Sequence, residues 1–303
     1  MSAARPTIAV LGAGRMGAPM AQNLLDAGFA VSVWDRTPEK AKALAGAREA
    51  HIPADAVEGA EIVLTMLPNG RITDDLMSNS GGALASLQPG AVWLQMGTIG
   101  IEWTDRLAQR AAEHEIEFVD APASGSDVPA REGELVILAS GSDDIHDRVS
   151  PIFDALGKQT LWLGPAGNGS RFKLVLNNWL ATVVEGVAET IALAETLGLD
   201  PDLVPKTLAQ SPLGSPYAVA KGKMMVERQF EPGFALGMAF KDVGLALDAA
   251  DAAGLDLPMT KSIADRWQQA MAGGLEDEDV STVFNVARRD ATAEAPEKAV
   301  AAR

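Results

Sequence analysis

The chain of 303 residues contains no cysteine, and this absence excludes disulfide bonds and catalysis by a thiolate. Histidine is almost as scarce. The sequence has only His51, His114 and His146, and they lack the spacing of metal ligands, so we predict no metal site. No uninterrupted apolar run approaches the length of a membrane span, and no apolar signal segment precedes the first predicted strand. We therefore expect a cytoplasmic protein.

Positive charge is also in short supply. The sequence has 25 lysines and arginines against 41 aspartates and glutamates, which gives a formal net charge of −16. Such a charge disfavours nucleic acid and anionic membranes as partners, and an anionic cofactor must then be held by local groups. The hydrophobic fraction of 47% is that of a soluble globular protein, and the length is sufficient for two domains.

Three glycines with the spacing G-x-G-x-x-G follow the first apolar run of the chain, at Gly12, Gly14 and Gly17. Gly12 permits a tight turn out of a strand, Gly14 lets a pyrophosphate approach the backbone, and Gly17 permits close packing of helix on strand. A helix over residues 18–25 would direct its free N–H groups at the phosphates. The pattern predicts a βαβ unit that binds a dinucleotide.

An acidic residue, Asp35, follows a second apolar strand at residues 30–34. Its separation from the glycines is close to that at which an acidic residue meets the adenosine ribose of a dinucleotide. Glycine-rich turns are common, so the alternative for the motif by itself is a βαβ unit that binds nothing.

Strand-like and helix-like segments alternate through the first half of the chain. We predict strands at 30–34, 61–67, 91–95, 117–120, 135–139 and 161–163, and helices at 18–25, 38–44 and 102–115. This alternation predicts an α/β domain over residues 1–164, with a Rossmann-type, doubly wound parallel sheet and helices on both faces. Ligands of such sheets bind at the carboxyl ends of the strands, here Gly12, Asp35, 67–68, 96–98 and 120–122.

The second half of the chain, residues 165–290, shows no convincing strand pattern. We predict an all-α domain, joined to the first domain by a long interdomain helix that ends before Gly198. Helices are predicted at 170–197, 202–210, 218–228, 238–253, 259–271 and 279–289. Residues 291–303 are rich in alanine and charge without an apolar face, and we expect them to form a frayed tail.

The long helix is apolar on several sides, and a helix of that kind is usually buried. Lys173 and Asn177 are four residues apart and therefore share one of its faces. A lysine inside an apolar helix is costly unless it lines a cavity or has a partner, and burial in general shifts the pKa of a lysine toward the range of a general acid or base. The alternative is that Lys173, Asn177, Ala181 and Glu185 form a narrow wet stripe.

Four separated motifs occur in order along residues 7–289. They are Gly12-Ala-Gly-Arg-Met-Gly-Ala-Pro-Met-Ala-Gln-Asn-Leu24, Asp120-Ala-Pro-Ala-Ser124-Gly125, Gly167-Asn-Gly169-Ser-Arg-Phe-Lys173 with Asn177, and Phe234 through Lys241-Asp242 in the pattern F-x-L-x-x-x-x-K-D. Together they resemble the β-hydroxyacid dehydrogenase family, which includes 3-hydroxyisobutyrate dehydrogenases, tartronate semialdehyde and glyoxylate reductases and, more distantly, 6-phosphogluconate dehydrogenase.

The resemblance implies roles for individual side chains. Lys173 would exchange a proton with the hydroxyl or carbonyl oxygen of the substrate, and Asn177 would hold that oxygen in line. Ser124 and Gly125 would bind the substrate carboxylate. The cofactor-binding positions of the family are matched by Gly12, Gly14, Arg15, Met16, Gly17, Leu67, Pro68, Thr98 and Lys241.

The residues after the second strand give conflicting signals about the nicotinamide cofactor. Asp35 would bind an unphosphorylated ribose and repel a 2′-phosphate, which favours NAD. Arg36, Thr37 and Lys40 resemble the family pattern Asn-Arg-Thr-x-x-Lys for NADP, in which the guanidinium and the amine contact the phosphate. Since contacts from two cations outweigh one like charge, NADP is favoured and some use of both cofactors is expected.

The substrate loop departs from the family pattern of Ser-Gly-Gly followed by Gly-Ala-x-x-Gly-Thr-Leu. This chain has Ser124-Gly125-Ser126 and then Pro129-Ala-Arg-Glu-Gly-Glu-Leu135, in which Arg131 is a candidate charge for an acidic substrate. The substrate is therefore left open among glyoxylate, succinic semialdehyde, methylmalonate semialdehyde and tartronate semialdehyde.

We predict an NAD(P)-dependent oxidoreductase of the EC 1.1.1 class that interconverts a small β-hydroxy acid and its semialdehyde. The alternatives are an imine-reductase-like NADPH oxidoreductase on the same fold and a non-catalytic nucleotide-sensing protein. Lys173 argues against both, because imine reductases replace it by an acidic or aromatic residue and a sensor needs no lysine inside an apolar helix. The apolar long helix also predicts a homodimer or homotetramer.

Overall fold

The structure, a computed structural model, describes residues 5–79 and 82–293 of the chain. The chain divides into two compact units between Val175 and Leu176, inside its longest helix. In the described part of the chain, no helix is both long enough and apolar enough to cross a membrane.

The first unit is built on a six-stranded sheet. Its strands are β1 (Thr7–Leu11), β2 (Ala30–Trp34), β3 (Arg48–Glu49), β4 (Ile62–Thr65), β5 (Val92–Gln95) and β6 (Glu117–Asp120). They lie in the order β3-β2-β1-β4-β5-β6, and each neighbouring pair is parallel. This is the strand order of the Rossmann fold, so the predicted doubly wound parallel sheet is confirmed.

Helices cover both faces of this sheet. They are α1 (Gly17–Asp26), α2 (Pro38–Lys42), α3 (Pro53–Val57), α4 (Gly70–Ser78), α5 (Ile101–Glu113), α6 (Asp127–Glu132) and α7 (His146–Leu156). Alternate residues of β1 enter different cores, because successive side chains of a strand point to opposite faces. Ile8 and Val10 pack with residues of α1 and α7, whereas Ala9 and Leu11 pack with residues of α3, α4 and α5.

A second, three-stranded sheet carries the predicted substrate motif. It consists of β7 (Ala123–Ser124), β8 (Leu135–Ala139) and β9 (Gly157–Trp162), with β7 antiparallel and β9 parallel to β8. The strand predicted at 161–163 begins earlier, at Gly157. Its first residues, including Lys158 and Gln159, are exposed at the sheet edge, so they lack the apolar pattern that marks a buried strand.

The second unit contains helices. The long helix α8 (Asn168–Thr196) leads into it, followed by α9 (Leu203–Gln210), α10 (Pro216–Glu227), α11 (Leu236–Ala252), α12 (Pro258–Ala272) and α13 (Phe284–Ala293). Among its described residues the β-structure is limited to a single bridge between Ala235 and Asp279, so the all-α prediction is confirmed.

Two boundaries in this unit differ from the prediction. The helix expected at 279–289 is a 3₁₀ turn (Val280–Val283) followed by α13, because the carboxylate of Asp279 accepts from the backbone N–H of Ser281 and caps the turn. Of the predicted frayed tail, residues 291–293 continue α13, and residues 294–303 lie outside the described residues.

The core of the second unit forms around the second half of α8. Ala181, Val184 and Ile191 pack in one cluster with Trp267 and Phe284. Glu185 is 5% exposed, and it accepts hydrogen bonds from Arg266 Nε and Trp267 Nε1. Burial raises the pKa of Glu185, although the hydrogen bond from Arg266 opposes the shift. The alternative of a narrow wet stripe is therefore not supported, because Lys173, Asn177, Ala181 and Glu185 are all buried.

Two glycines of the first turn differ in the space around them, and this difference predicts unequal losses of stability on substitution by alanine. A Cβ on Gly17 would lie 1.8 Å from the carbonyl oxygen of Gly12, whereas a Cβ on Gly14 would meet nothing within 4 Å. We expect Gly17→Ala to lower the free energy of unfolding by about 1–3 kcal/mol, the usual range for overpacking. Gly14→Ala should change it by less than about 0.5 kcal/mol. Urea unfolding of the free proteins measures both values, and equal losses would contradict the prediction.

Candidate functional site

The three glycines of the first βα turn occupy three different environments. Gly12 has a φ of +105°, and a Cβ there would lie 2.5 Å from the carbonyl oxygen of Met66. Gly17 allows α1 to begin against the backbone of Gly12. Gly14 has open space where a Cβ would stand, which is the cradle that a phosphate group needs for close approach to the backbone. The turn therefore fits a dinucleotide pyrophosphate.

Asp35 ties this turn to the segment that follows β2. Its Oδ2 accepts from the backbone N–H of Ala13 at 2.8 Å, and its Oδ1 accepts from that of Thr37 at 2.8 Å. Arg36 and Lys40 are exposed on the same segment. The structure thus brings the carboxylate predicted for the ribose next to the glycine turn, with two cations close in sequence.

A buried amide that sequence reasoning did not single out, Gln95, links the end of β4 to the loop after β5. Gln95 Nε2 donates to the carbonyl oxygen of Gly97 at 2.7 Å, and Gln95 Oε1 accepts from the backbone N–H of Gly97 at 3.2 Å and from Thr65 Oγ1 at 3.2 Å. A Cβ on Gly97 would lie 2.5 Å from the carbonyl oxygen of Leu67. The signal was present, because Gln95 is a polar residue that ends an apolar strand.

The predicted nicotinamide positions of this unit lie in the loops after β4 and β5. Leu67 and Thr98 are half-buried, and Pro68 is exposed. Both loops follow neighbouring parallel strands at the carboxyl edge of the sheet, which is where ligands of this fold bind.

The substrate motif ends in a constrained turn. Gly125 has a φ of +140°, and a Cβ there would lie 2.8 Å from Leu135 Cδ2, so the position requires glycine. Ser124 is half-buried beside it. Arg131, considered as a charge for an acidic substrate, instead pairs with Asp127 one turn earlier in α6, at 2.5 Å. Its charge is therefore balanced within its own helix.

Lys173 lies in the second turn of α8 and is 8% exposed. The first turn of that helix is fixed by Asp120, the residue that ends β6. The Asp120 carboxylate accepts from the backbone N–H and from Oγ of Ser170, both at 2.7 Å, and from Ser140 Oγ at 3.3 Å. Burial raises the pKa of Asp120 to about 6, against the lowering effect of these hydrogen bonds.

Asn177 lies at the start of the second unit and is 3% exposed. Its Nδ2 donates to Asp242 Oδ2 at 2.8 Å, and Asp242 Oδ1 lies 2.7 Å from Lys241 Nζ. The structure therefore brings together the amide predicted to hold the substrate and the lysine predicted to lie near the nicotinamide, through a carboxylate to which sequence reasoning assigned no role. Helical spacing places Lys173 and Asn177 one turn apart along α8.

The described residues contain no group of three or more histidine, aspartate or glutamate side chains that could hold a metal ion. What they offer is a phosphate cradle, a buried lysine, a fixed amide and a serine–glycine turn.

Two family models match consecutive parts of the chain, which together include most of the residues described above. Residues 7–164 match the NAD binding domain of 6-phosphogluconate dehydrogenase, and residues 167–287 match the NAD-binding region of NADP-dependent 3-hydroxyisobutyrate dehydrogenase. The chain belongs to the β-hydroxyacid dehydrogenase family. Membership makes it an oxidoreductase with a nicotinamide dinucleotide cofactor, and the resemblance inferred from four motifs is confirmed.

Individual family members match over most of their own lengths. Glyoxylate/succinic semialdehyde reductase 1 of Arabidopsis thaliana is 31% identical over 283 residues, 93% of this chain and 98% of that protein. NAD-dependent L-serine dehydrogenase of Pseudomonas aeruginosa is 32% identical over 285 residues, 91% of this chain and 96% of that protein. The structure of Mycobacterium tuberculosis 3-hydroxyisobutyrate dehydrogenase with L-serine matches with a TM-score of 0.85 at 30% identity, covering 94% of this chain and 100% of that one.

The raised pKa of the buried Asp120 carboxyl predicts that the stability of this family member depends on pH. Its pKa of about 6 in the folded protein lies above its ordinary value of 3.8, so the folded protein binds this proton more tightly than the unfolded chain does. The contribution of this proton to the free energy of unfolding is fully present below about pH 4 and is lost as the pH rises through about 6. Asp120→Asn cannot titrate. We expect its free energy of unfolding to fall less than that of the wild type between about pH 5 and about pH 7.5, by roughly 1 kcal/mol. Urea unfolding at the two pH values tests this, and identical pH dependences would refute it.

Proposed function

We propose that this family member transfers a hydride between a nicotinamide cofactor and a small β-hydroxy acid or its semialdehyde, with Lys173 as the general acid and base. The observation that carries the proposal is the burial of Lys173 in the second turn of α8, on the helix face that also bears Asn177. A lysine in that position serves proton transfer better than it serves packing, because burying its charge costs free energy.

The cofactor would be held along the carboxyl edge of the six-stranded sheet. When bound, the nicotinamide supplies or accepts the hydride. The pyrophosphate cradle would consist of Gly12, Gly14, Arg15, Met16 and Gly17. The ribose and its 2′ substituent would meet Asp35, Arg36, Thr37 and Lys40, and the nicotinamide would meet Leu67, Pro68, Thr98 and Lys241.

The remaining residues would act on the substrate. In reduction the Lys173 ammonium donates a proton to the carbonyl oxygen, and in oxidation the neutral amine accepts the hydroxyl proton, so one group serves both directions. Since one N–H of Asn177 is occupied by Asp242, its Oδ1 and second N–H are what it can offer to the substrate oxygen. Ser124 Oγ and the Gly125 N–H would bind the carboxylate and fix the reacting carbon.

The substrate class follows from the same groups. Ser124 and Gly125 suit a single carboxylate, and Arg131 is paired with Asp127 rather than directed to a second one. Relatives named for glyoxylate, succinic semialdehyde and L-serine support a small acid. We therefore propose a substrate with one carboxylate next to the reacting carbon, or close to it.

Lys173→Ala is the direct test of the mechanism. We expect the variant to bind NADPH or NADH like the wild type and to lose about 10²- to 10⁴-fold in kcat, the usual contribution of general acid–base catalysis. Oxidation of the reduced cofactor at 340 nm, against glyoxylate, succinic semialdehyde, methylmalonate semialdehyde and tartronate semialdehyde, measures it.

The matched control is Lys158→Ala, since that lysine is 60% exposed and pairs with Glu134 at 3.7 Å. Its activity should equal that of the wild type. A Lys173→Ala enzyme with undiminished kcat would rule out the assigned mechanism, whereas tight cofactor binding without turnover of any substrate would rule out the proposed reaction.

Arg36→Ala tests the proposed preference for NADP. Losing a charge-assisted contact with the 2′-phosphate should weaken NADPH binding about 10- to 100-fold and leave NADH binding within about threefold. Fluorescence titration of both cofactors measures the two values of Kd. Lys42→Ala, which removes a positive charge from an exposed position of the same segment, is the control. Equal weakening of NADH and NADPH would show that Arg36 does not recognise the phosphate.

A further inference from the structure

The carboxylate of Asp120 connects two segments that the proposed function requires. Asp120 is the first residue of the substrate motif that leads to Ser124 and Gly125. Its carboxylate also accepts two hydrogen bonds from Ser170, which is 50 residues later in the sequence and lies in the first turn of α8. Ser170 and Lys173 are three residues apart and are therefore neighbours on the helix surface.

The contact engages both carboxylate oxygens. Oδ2 accepts from the Ser170 N–H and Oδ1 from Ser170 Oγ, and Ser170 Oγ also lies 3.0 Å from Thr104 Oγ1. Ser140 supports the same junction, because its Oγ accepts from the backbone N–H of Gly169 at 2.9 Å. The first turn of α8 is thus held from β6, from the end of β8 and from α5.

The backbone leaves this turn little freedom to move. A Cβ on Gly169 would lie 2.2 Å from the carbonyl oxygen of Leu138 and 2.8 Å from that of Asp120, so the helix begins in direct contact with both strand ends. The side chains of Asp120 and Ser140 therefore hold a turn that is already in van der Waals contact with the sheet.

A charged carboxylate is a costly way to hold a helix. Asp120 is fully buried. The charged groups around it lie on α8 and α5, where Arg171 favours its ionised form and is itself paired with Asp105 at 3.3 Å. An asparagine would avoid the cost of burying a charge, but it would offer one acceptor oxygen instead of two. The carboxylate is therefore buried, despite the free-energy cost of desolvating its charge, at a position where two acceptor oxygens are used.

We propose that Asp120 is a positioning residue for the reaction: by binding Ser170 through both oxygens, it fixes the turn that carries Lys173 relative to the Ser124–Gly125 turn. The inference rests on the proposed function and deepens it, since it assigns the placement of the proton-transferring lysine to a residue that touches neither substrate nor cofactor.

The experiment compares three variants of the full-length protein, Asp120→Ala, Asp120→Asn and Ser170→Ala, with wild type. Asp74→Asn is the matched control, because Asp74 is another buried carboxylate of the same unit, paired with Arg110 at 2.7 Å. Four quantities are measured: kcat, KM for the substrate, Kd for the reduced cofactor, and hydrogen exchange of the backbone amides 169–174.

The inference predicts a graded loss in kcat with unchanged cofactor affinity. Asp120→Ala should lower kcat about 100-fold, the cost of a misplacement of about 1 Å, while the cofactor Kd stays within about twofold. Asp120→Asn and Ser170→Ala, which each keep part of the contact, should lose about 3- to 10-fold. Exchange at amides 169–174 should accelerate at least about tenfold in Asp120→Ala and not in Asp74→Asn.

Three results would overturn the inference: a kcat of Asp120→Ala within about threefold of wild type, an equal loss of kcat in Asp74→Asn, or unchanged exchange at amides 169–174. If Asp120→Ala does not fold, the comparison of Asp120→Asn and Ser170→Ala with Asp74→Asn decides. If the wild type turns over none of the four semialdehydes and acids, the proposed function fails, and the exchange measurement still decides whether Asp120 fixes the turn.

Discussion

In the loops that follow parallel strands, backbone N–H groups no longer have a partner in the sheet and need another acceptor. In the first unit, side chains supply these acceptors and so fix the conformation of the loops. Asp35 accepts from the N–H groups of Ala13 and Thr37, and so holds two loops with one carboxylate. Gln95 accepts from the N–H group of Gly97 through its amide oxygen, and so holds the loop after β5. Each acceptor stands at or directly after the end of a strand, and each loop that it holds carries residues assigned to the cofactor.

The second unit uses the same kind of acceptor with a counter-ion. Asp279 is fully buried, accepts from the N–H groups of Gly233 and Phe234 at 3.1 Å, and pairs with Lys221 at 2.7 Å. These contacts order the segment that enters α11, the helix that carries Asp242. The ion pair with Lys221 offsets the free-energy cost of burying the charge of Asp279. The carboxylate of Asp120 is held by hydrogen bonds from two serines instead, so less of its cost is offset.

The sequence was sufficient for the first βα turn, where the deciding contact is local. Gly17 packs on Gly12, five residues earlier, so the motif and its physical reason occupy one stretch of chain. The strand–helix alternation is local in the same sense. The partners of Asn177 and Ser170 were not accessible, because Asp242 lies 65 residues from Asn177 and Asp120 lies 50 residues from Ser170. No periodicity records a pairing across such a distance.

One interpretation that the structure does not support, the role of Arg131, could have been corrected from neighbouring residues in the sequence. Arg131 pairs with Asp127, four residues earlier, which helix spacing would have indicated. The helix between them was not predicted, because α6 is six residues long and contains a proline. The exposed edge strand β9 was recognised only at its end, since its polar first residues carry no burial signal.

The two ways of dividing this chain place Lys173 in different halves. By family comparison the border falls between residues 164 and 167, and by compactness it falls between Val175 and Leu176. The start of α8 thus falls in the helical half by family comparison and in the unit that contains the sheet by packing. A chimaera joined at the first border would take Asp120 from one parent and Ser170 from the other, so the hydrogen bonds between these two residues would have to form between segments of different origin.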